Sequence, residues 1–236
     1  MTKVGLRKEL KQLYSPSAVT PVQAPSADGM KMAATLHEAQ FEALLQHPSL
    51  WRGRGIAPAT GYPTGHAALD AVLPGGGWPR RGLVEILTGG CCGELSLWMP
   101  LLRQFTRMPG ARCCTFIAPP FEPFAPAWQA HGVRLDRLLV VRAADPLWAF
   151  EQSLLSGACS VSFAWPQAAG MTALRRLALA TERGGSLGVL IRPLRAATEH
   201  SAAVLRIALR RGAGCMRLQL LKGRGLTPCT VELPLP

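Results

Sequence analysis

Acidic residues are scarce in this 236-residue chain: 14 Asp and Glu stand against 26 Lys and Arg, a formal charge of +12 with an isoelectric point near 10.2. Such an excess favours contact with nucleic acid or another acidic surface, because neutralising phosphates releases counterions. It names a class of partner and not a function. The seven cysteines include no Cys-x-x-Cys, and the adjacent pairs Cys91-Cys92 and Cys113-Cys114 are poorly placed to chelate one metal together. Small buried hydrophobes in a reducing compartment are the expected role of these thiols. None of the histidines His37, His47, His66, His131 and His200 has a Cys or Asp neighbour at a recognised motif spacing, so no metal is expected. Pro, Gly or Arg interrupts every apolar stretch well short of a membrane span. The first twenty residues carry Lys3, Arg7, Lys8 and Lys11 but no apolar run leading to a small-residue cleavage site. The expectation is a soluble, cytoplasmic protein that makes no membrane contact.

What is present is enough apolar mass for one folded core, 48% of the chain. Leu6, Leu10 and Leu13 form one stripe of a short basic amphipathic helix over 3–13, marginal on its own. Pro16, Pro21 and Pro25 make the following stretch a linker, and Met32, Leu36, Ala39 and Ala43 mark a second helix that His47-Pro48 ends. Residues 1–47 are therefore expected to form an N-terminal helical arm and Pro-rich linker, with the core over 48–236. Beyond residue 50 short β-type runs alternate with helical patterns: strands at 84–87, 114–117, 138–141, 159–165 and 187–191, helices at 95–106, 146–155 and 171–183. Strands separated by helices of this length imply βαβ units and a mainly parallel sheet. The runs 203–210, 216–221 and 230–233 instead read as a β-meander that alternates apolar with basic positions. Trp51, Trp78, Trp128, Trp148 and Trp165 sit mostly beside apolar or Pro residues and are expected in the core, with Trp51 the one suspected of partner contact.

One segment carries a resemblance. Thr60-Gly61, Leu69-Asp70, Gly75-Gly76-Gly77-Trp78-Pro79 and Gly82-Leu83-Val84-Glu85-Ile86 follow one another as in the approach to the nucleotide loop of RecA recombinases, and the likeness continues through Cys114-Thr115-Phe116-Ile117 and Ser156-Gly157-Ala158. It covers roughly residues 50–195. The resemblance implies an α/β fold, a RecA-like mainly parallel sheet flanked by helices with a C-terminal antiparallel β extension and an N-terminal helical arm.

The chemistry of that family depends on a phosphate loop in which backbone N–H groups cradle phosphates, a Lys neutralises them and a hydroxyl holds Mg²⁺. Here Thr88 stands at the first Gly position, followed by Gly89 and Gly90, and Gly93 stands at the second; Glu94 replaces the Lys and Leu95 the hydroxyl residue. Where the recombinases carry an acidic base this chain has Pro119-Pro120, and where a magnesium-linked Asp ends the next strand it has Ala164-Trp165-Pro166. Pro and Trp neither activate water nor hold a metal ion. Three separate requirements fail, so the expectation is a degenerate ATPase without catalysis, cofactor or metal. Gly89, Gly90 and Gly93 would otherwise offer an anion backbone N–H groups at a helix start, a use that Glu94 opposes.

With Leu50-Trp51-Arg52-Gly53 before the core, Leu174-Arg175-Arg176-Leu177 within it and Arg217–Gly225 at its end, the chain resembles the ImuA family. That resemblance implies an accessory role in SOS-induced, error-prone translesion DNA synthesis, with an ImuB-like protein, an error-prone C-family DNA polymerase and a RecA filament as partners. The central stretch also resembles SulA, which implies the alternative of an inhibitor of cell division acting on FtsZ. Over 201–236, Arg206, Arg210, Arg211, Arg217, Lys222 and Arg224 face a single acid, Glu232. This meander, together with Trp51 and Arg52, is the expected contact with DNA or a protein partner, the other reading being an ordinary solvated sheet face.

Overall fold

A computed structural model describes residues 60–90 and 93–235, which fall within one compact unit, Arg54–Pro236. The helices expected at 3–13 and 32–43, the linker between them, Trp51, Arg52 and Cys91-Cys92 lie outside the described residues.

The described chain runs α1 (Ala67–Asp70), β1 (Gly82–Thr88), α2 (Met99–Arg107), β2 (Cys113–Ile117), α3 (Ala125–Ala130), β3 (Leu138–Val141), α4 (Pro146–Leu155), β4 (Cys159–Ala164), α5 (Met171–Gly184), β5 (Leu187–Pro193), β6 (Leu205–Arg211), β7 (Cys215–Gly223) and β8 (Cys229–Pro234), with 3₁₀ turns at Glu94–Trp98, Leu135–Arg137 and Leu194–Thr198. The strands form one eight-stranded sheet in the order β3-β2-β4-β5-β1-β6-β7-β8. Pairing is parallel from β3 to β6 and antiparallel from β6 to β8. This is the expected class: a mainly parallel sheet flanked by helices, with an antiparallel C-terminal extension.

Chain order explains which face each helix covers. The connections from β1 to β2 and from β2 to β3 travel one way along the sheet, those from β3 to β4 and from β4 to β5 travel back. Crossovers of one hand that reverse direction must change face. Residues of α2 and α3 accordingly pack into one core cluster with Val84, Ile86, Phe116 and Phe163, whereas those of α4 and α5 pack into another with Leu83, Ile117 and Leu190. All seven residues of β1 are buried, as a strand covered on both faces requires.

The glycine-rich approach is a packing latch. Tyr62 bridges to Trp78, and a Cβ on Gly77 would stand 2.1 Å from the Tyr62 carbonyl oxygen, so no larger residue fits there. Closing this loop delivers Trp78 to the interior, stacked on Trp98 with ring centroids 4.0 Å apart. Asp70 accepts from the Thr64 N–H at 2.9 Å and holds the other arm of the loop.

Four expectations are corrected. The helix over 95–106 starts at Met99, after a 3₁₀ turn, because Pro100 has no N–H to bond back to Ser96 and its ring excludes an α-turn there. Helix α3, within a stretch dense in Pro and Phe, was not expected at all. Trp148 is 58% exposed instead of packed in the core. Finally, the meander does not alternate at its start: β6 is buried from Leu205 to Leu209, Arg206 included.

Arg206 is buried because Glu85 is. Glu85, fully buried on β1, accepts from Arg206 Nε at 2.6 Å and from Arg192 Nη1 at 2.8 Å. Arg192 reaches on to Glu199 at 2.7 Å and to the Ala169 carbonyl at 3.2 Å, and Arg206 donates to the carbonyls of Ala196 and Glu199 at 2.7 and 2.9 Å. Two carboxylates thus balance two guanidiniums, and the backbone of the Leu194–Thr198 turn is fastened to the sheet. A buried pair adds little against apolar replacements, but removing one partner strands the rest.

Glu85→Ala is therefore expected to cost about 3–5 kcal/mol, whereas Arg217→Ala, which breaks the exposed Arg217–Glu232 pair, is expected to cost under about 1 kcal/mol. Urea unfolding of both variants checks this, and equal losses would contradict the role given to the network. A second expectation concerns thiols. Burial, with the neighbouring Cys159 and Cys113, pushes the Cys114 thiol up to about 12. At a pH of about 8 only on the order of one molecule in ten thousand then carries the reactive thiolate. Iodoacetamide should leave Cys114 unmodified in the folded chain, as read by mass spectrometry, and label it on unfolding.

Candidate functional site

In open α/β sheets ligands are taken up beyond the carboxyl ends of the parallel strands, where connections leave in opposite directions. Here the ends of β1, β2 and β4 carry the three segments that the sequence singles out. Beyond β1 the Thr88 hydroxyl donates to the Gly90 carbonyl at 2.6 Å, so the loop closes on itself. Gly93 has φ 83°, left-handed backbone that suits glycine, and leads directly into the 3₁₀ turn at Glu94. The N–H and the hydroxyl of Ser96 both point back to the Gly93 carbonyl, at 2.9 and 2.7 Å. Ser96 is the residue that would serve a metal if the register were slid by one, and its hydroxyl is engaged elsewhere.

A phosphate cradle needs unpaired N–H groups at the first turn of an α-helix. This turn is 3₁₀, the α-helix begins five residues later at Met99, and Pro100 supplies no N–H. Glu94 is buried beside it, and Leu95, half-buried, packs against the core. An anionic phosphate about 4 Å from a Glu carboxylate is opposed by roughly 4 kcal/mol at an effective dielectric near 20.

At the end of β2, Ala118 adopts left-handed backbone, φ 46°, uncommon for a residue with a side chain. Its N–H bonds the Val141 carbonyl at 2.8 Å, which ties the ends of β2 and β3 together. Ala118, Pro119, Pro120 and Phe121 line a cleft of about 350 Å³ closed on the other side by Val140, Arg142 and Ala143, with Glu122 paired to Arg142. Phe121 and Phe124 beside it are 70% and 69% exposed. These aromatics were not singled out from the sequence, although two Phe among prolines, in Pro119-Pro120-Phe121-Glu122-Pro123-Phe124, were the available sign. At the end of β4, Trp165 lies over Phe116 and Phe163, with centroids 6.4 and 6.5 Å away. Among the described residues no three His, Cys, Asp or Glu come together as a metal site.

The expected contact residues of the C-terminal strands separate into three kinds. Arg206 is internal, as above, and is withdrawn as a surface contact. Arg210 and Arg211 are exposed at the end of β6 and make no ion pair among the described residues. Arg217 lies opposite Arg210 on β7, but its guanidinium is held by Glu232 at 2.7 Å, and that hydrogen bond raises its pKa. Lys222 donates to the Ser201 carbonyl at 2.8 Å, and Arg224 is exposed on the turn before β8. The strands therefore bring together Arg210, Arg211 and Arg217 at one end and keep Lys222 at the other. Among the described residues no helix is long and apolar enough to cross a membrane.

No family model matches the chain. It is 31% identical over 135 residues, 54% of its length, to Protein ImuA of Caulobacter vibrioides in both strain NA1000 / CB15N and strain ATCC 19089 / CB 15. The matched stretch is 55% of those relatives, so the chain spans about half the length of the curated proteins it matches. Among solved structures, SulA from Pseudomonas aeruginosa superposes with a TM-score of 0.40 at 26% identity, covering 47% of this chain and 97% of that one. Over the matched half, this chain is similar to the ImuA proteins.

Proposed function

We propose that the chain is a non-catalytic accessory protein of SOS-induced, error-prone translesion DNA synthesis, acting with an ImuB-like protein and an error-prone C-family DNA polymerase, and through a RecA filament. The observation that carries the non-catalytic part is the rebuilt loop after β1. Its hydroxyls and the Ser96 N–H are bonded within the loop, its first turn is 3₁₀, and Glu94 stands where a phosphate would need a cation. The partners come from the likeness to ImuA. In this reading the sheet is a scaffold, and the exposed end of the antiparallel extension, Arg210 and Arg211 with Arg217, touches the DNA backbone.

Isothermal titration of the chain with Mg-ATP is expected to give no binding heat; micromolar affinity would overturn the reading of Glu94. Co-expression of the tagged chain with its ImuB-like protein and polymerase, with nuclease added to remove bridging DNA, is expected to recover both partners. Recovery of neither sinks the accessory role. Replacing Arg210 and Arg211 by Gln should leave that recovery intact and weaken binding of a labelled oligonucleotide, lowering the salt slope by about 1.4 for a single strand.

A further inference from the structure

Every cation between residues 32 and 221 is an arginine, and the fold places eight of them at the end of the sheet opposite Arg210 and Arg211: Arg80 and Arg81 before β1, Arg183 on the last turn of α5, and five around α2, β2 and β3. Arg103 and Arg107 lie on the last turns of α2, Arg112 on the turn into β2, and Arg134 and Arg137 on the segment leading into β3. The first four are exposed and the Arg137 side chain is 43% exposed. All five stand at the amino ends of parallel strands, whereas Arg210 and Arg211 stand at the carboxyl end of β6.

Contacts make this one surface. Gly132 is left-handed, φ 79°, and the space a Cβ would take there is occupied by Arg103 Nε and Arg107 Nη2, 3.3 and 3.4 Å from that position. Arg107 Nε donates to the Gly132 carbonyl at 2.6 Å, and the Arg134 N–H bonds Thr106 at 3.2 Å. Arg137 reaches the Ala111 carbonyl at 3.1 Å, next to Arg112, which clamps the carbonyls of Gly157 and Gly185, each at 3.1 Å.

One carboxylate is bonded to this group among the described residues: Asp136, which takes both arms of the Arg134 fork at 3.1 and 2.7 Å and lies 3.8 Å from Arg137 Nε. Among the described residues no carboxylate is bonded to Arg103, Arg107 or Arg112, and the bonds of Arg107 and Arg112 go to backbone carbonyls. The negative end of α2 favours a cation in its last turn, which accounts for one guanidinium and leaves the packing of a second against it unexplained. Like charges at such separations repel unless an anion joins them. Guanidiniums anchored through one N–H keep the rest of their fork for phosphate oxygens, a fit that lysine lacks. The exposed Phe121, Phe124 and Trp148 lie on other segments.

We infer that this arginine edge, centred on Arg103 and Arg107, is a second polyanion site that holds the phosphodiester backbone of DNA without reading its sequence, separate from the C-terminal strands. A strand bound at both ends of the sheet would have to pass around the domain or belong to two DNA segments.

The test is fluorescence anisotropy of the full chain with a labelled single strand and with the matching duplex, across a salt series. Arg103→Gln/Arg107→Gln is expected to weaken binding and to flatten the slope of log affinity against log salt by about 1.4 for the single strand and about 1.8 for the duplex. The same decrement is expected in an Arg210→Gln/Arg211→Gln background. Arg103→Lys/Arg107→Lys should restore most of the slope. Arg175→Gln/Arg176→Gln, with the same charge loss on the first half of α5, should leave it unchanged. An unaltered slope in Arg103→Gln/Arg107→Gln overturns the proposal, as does an equal loss in the α5 control or a wild-type chain that binds neither DNA. Footprinting of the wild-type chain with phenylglyoxal needs no variant to fold: DNA should protect Arg103 and Arg107, and unprotected residues refute the site. Failure of the accessory reading, seen as no recovery of an ImuB-like partner, would leave all of these outcomes where they are.

Discussion

The fold turns on one buried carboxylate. Glu85 lies at the middle of β1, the strand at which the sheet passes from helix-covered strands to the extension, and it is bonded by Arg192 from β5 on one side and Arg206 from β6 on the other. Backbone pairing alone would let β6 slip along β1. A slip by one residue would turn Arg206 to the opposite, wholly apolar face and leave Glu85 short of a counter-ion, so the charges set the register more sharply than apolar packing does. The same guanidinium holds the carbonyls of Ala196 and Glu199, which is how a short 3₁₀ turn covers Leu87 and Ala208 where no long helix is available.

That arrangement also decides where the surface begins. Helices α4 and α5 cover one face as far as the start of β1, the 3₁₀ turn covers it over the end of β1 and the first half of β6, and beyond that the face is open. Arg210, Arg217, Gln219, Thr230 and Glu232 are the side chains left on it, while Leu209, Leu218, Leu220, Val231 and Leu233 fill the other face. The extension is thus a half-buried sheet continued from a doubly buried one, and its alternation starts only after Leu209.

This boundary explains what the sequence could and could not disclose. The strands from β1 to β5 were legible as short, mostly apolar runs, and the helices α4 and α5 as longer periodic ones set off by Pro, Ser or Gly. Arg206 was misread because alternation from 203 to 210 has the same form whether a basic position faces water or a partner 121 residues away, and Glu85 gave no local hint of being that partner. Trp148 was misread because its neighbours are apolar, yet position 148 is the third residue of α4 and its N–H is capped by Asp145, at the solvated start of the helix. The arginine edge was invisible for a different reason. Arg103 and Arg134 are far apart in sequence and share this edge only because α2 packs against the segment after α3, with Gly132 beside Arg103 and Arg107 and the Arg134 N–H bonded to Thr106, whereas the charge of the C-terminal strands is contiguous in sequence.

The two ends of the sheet have therefore been treated in opposite ways. At the carboxyl ends, where a ligand would be expected, proline follows β2 and β4, Trp165 lies over Phe116 and Phe163, and the hydroxyls of Thr88 and Ser96 after β1 are bonded to the carbonyls of Gly90 and Gly93. Those groups gain little from an incoming phosphate because each would first have to give up a bond it already has. At the amino ends the reverse holds: Arg103 and Arg107 are exposed, without a bonded carboxylate among the described residues, and crowded over a glycine that leaves them room. An anion arriving there would relieve repulsion between neighbours, so on the proposed reading it is this edge, and not the loop after β1, that holds phosphate.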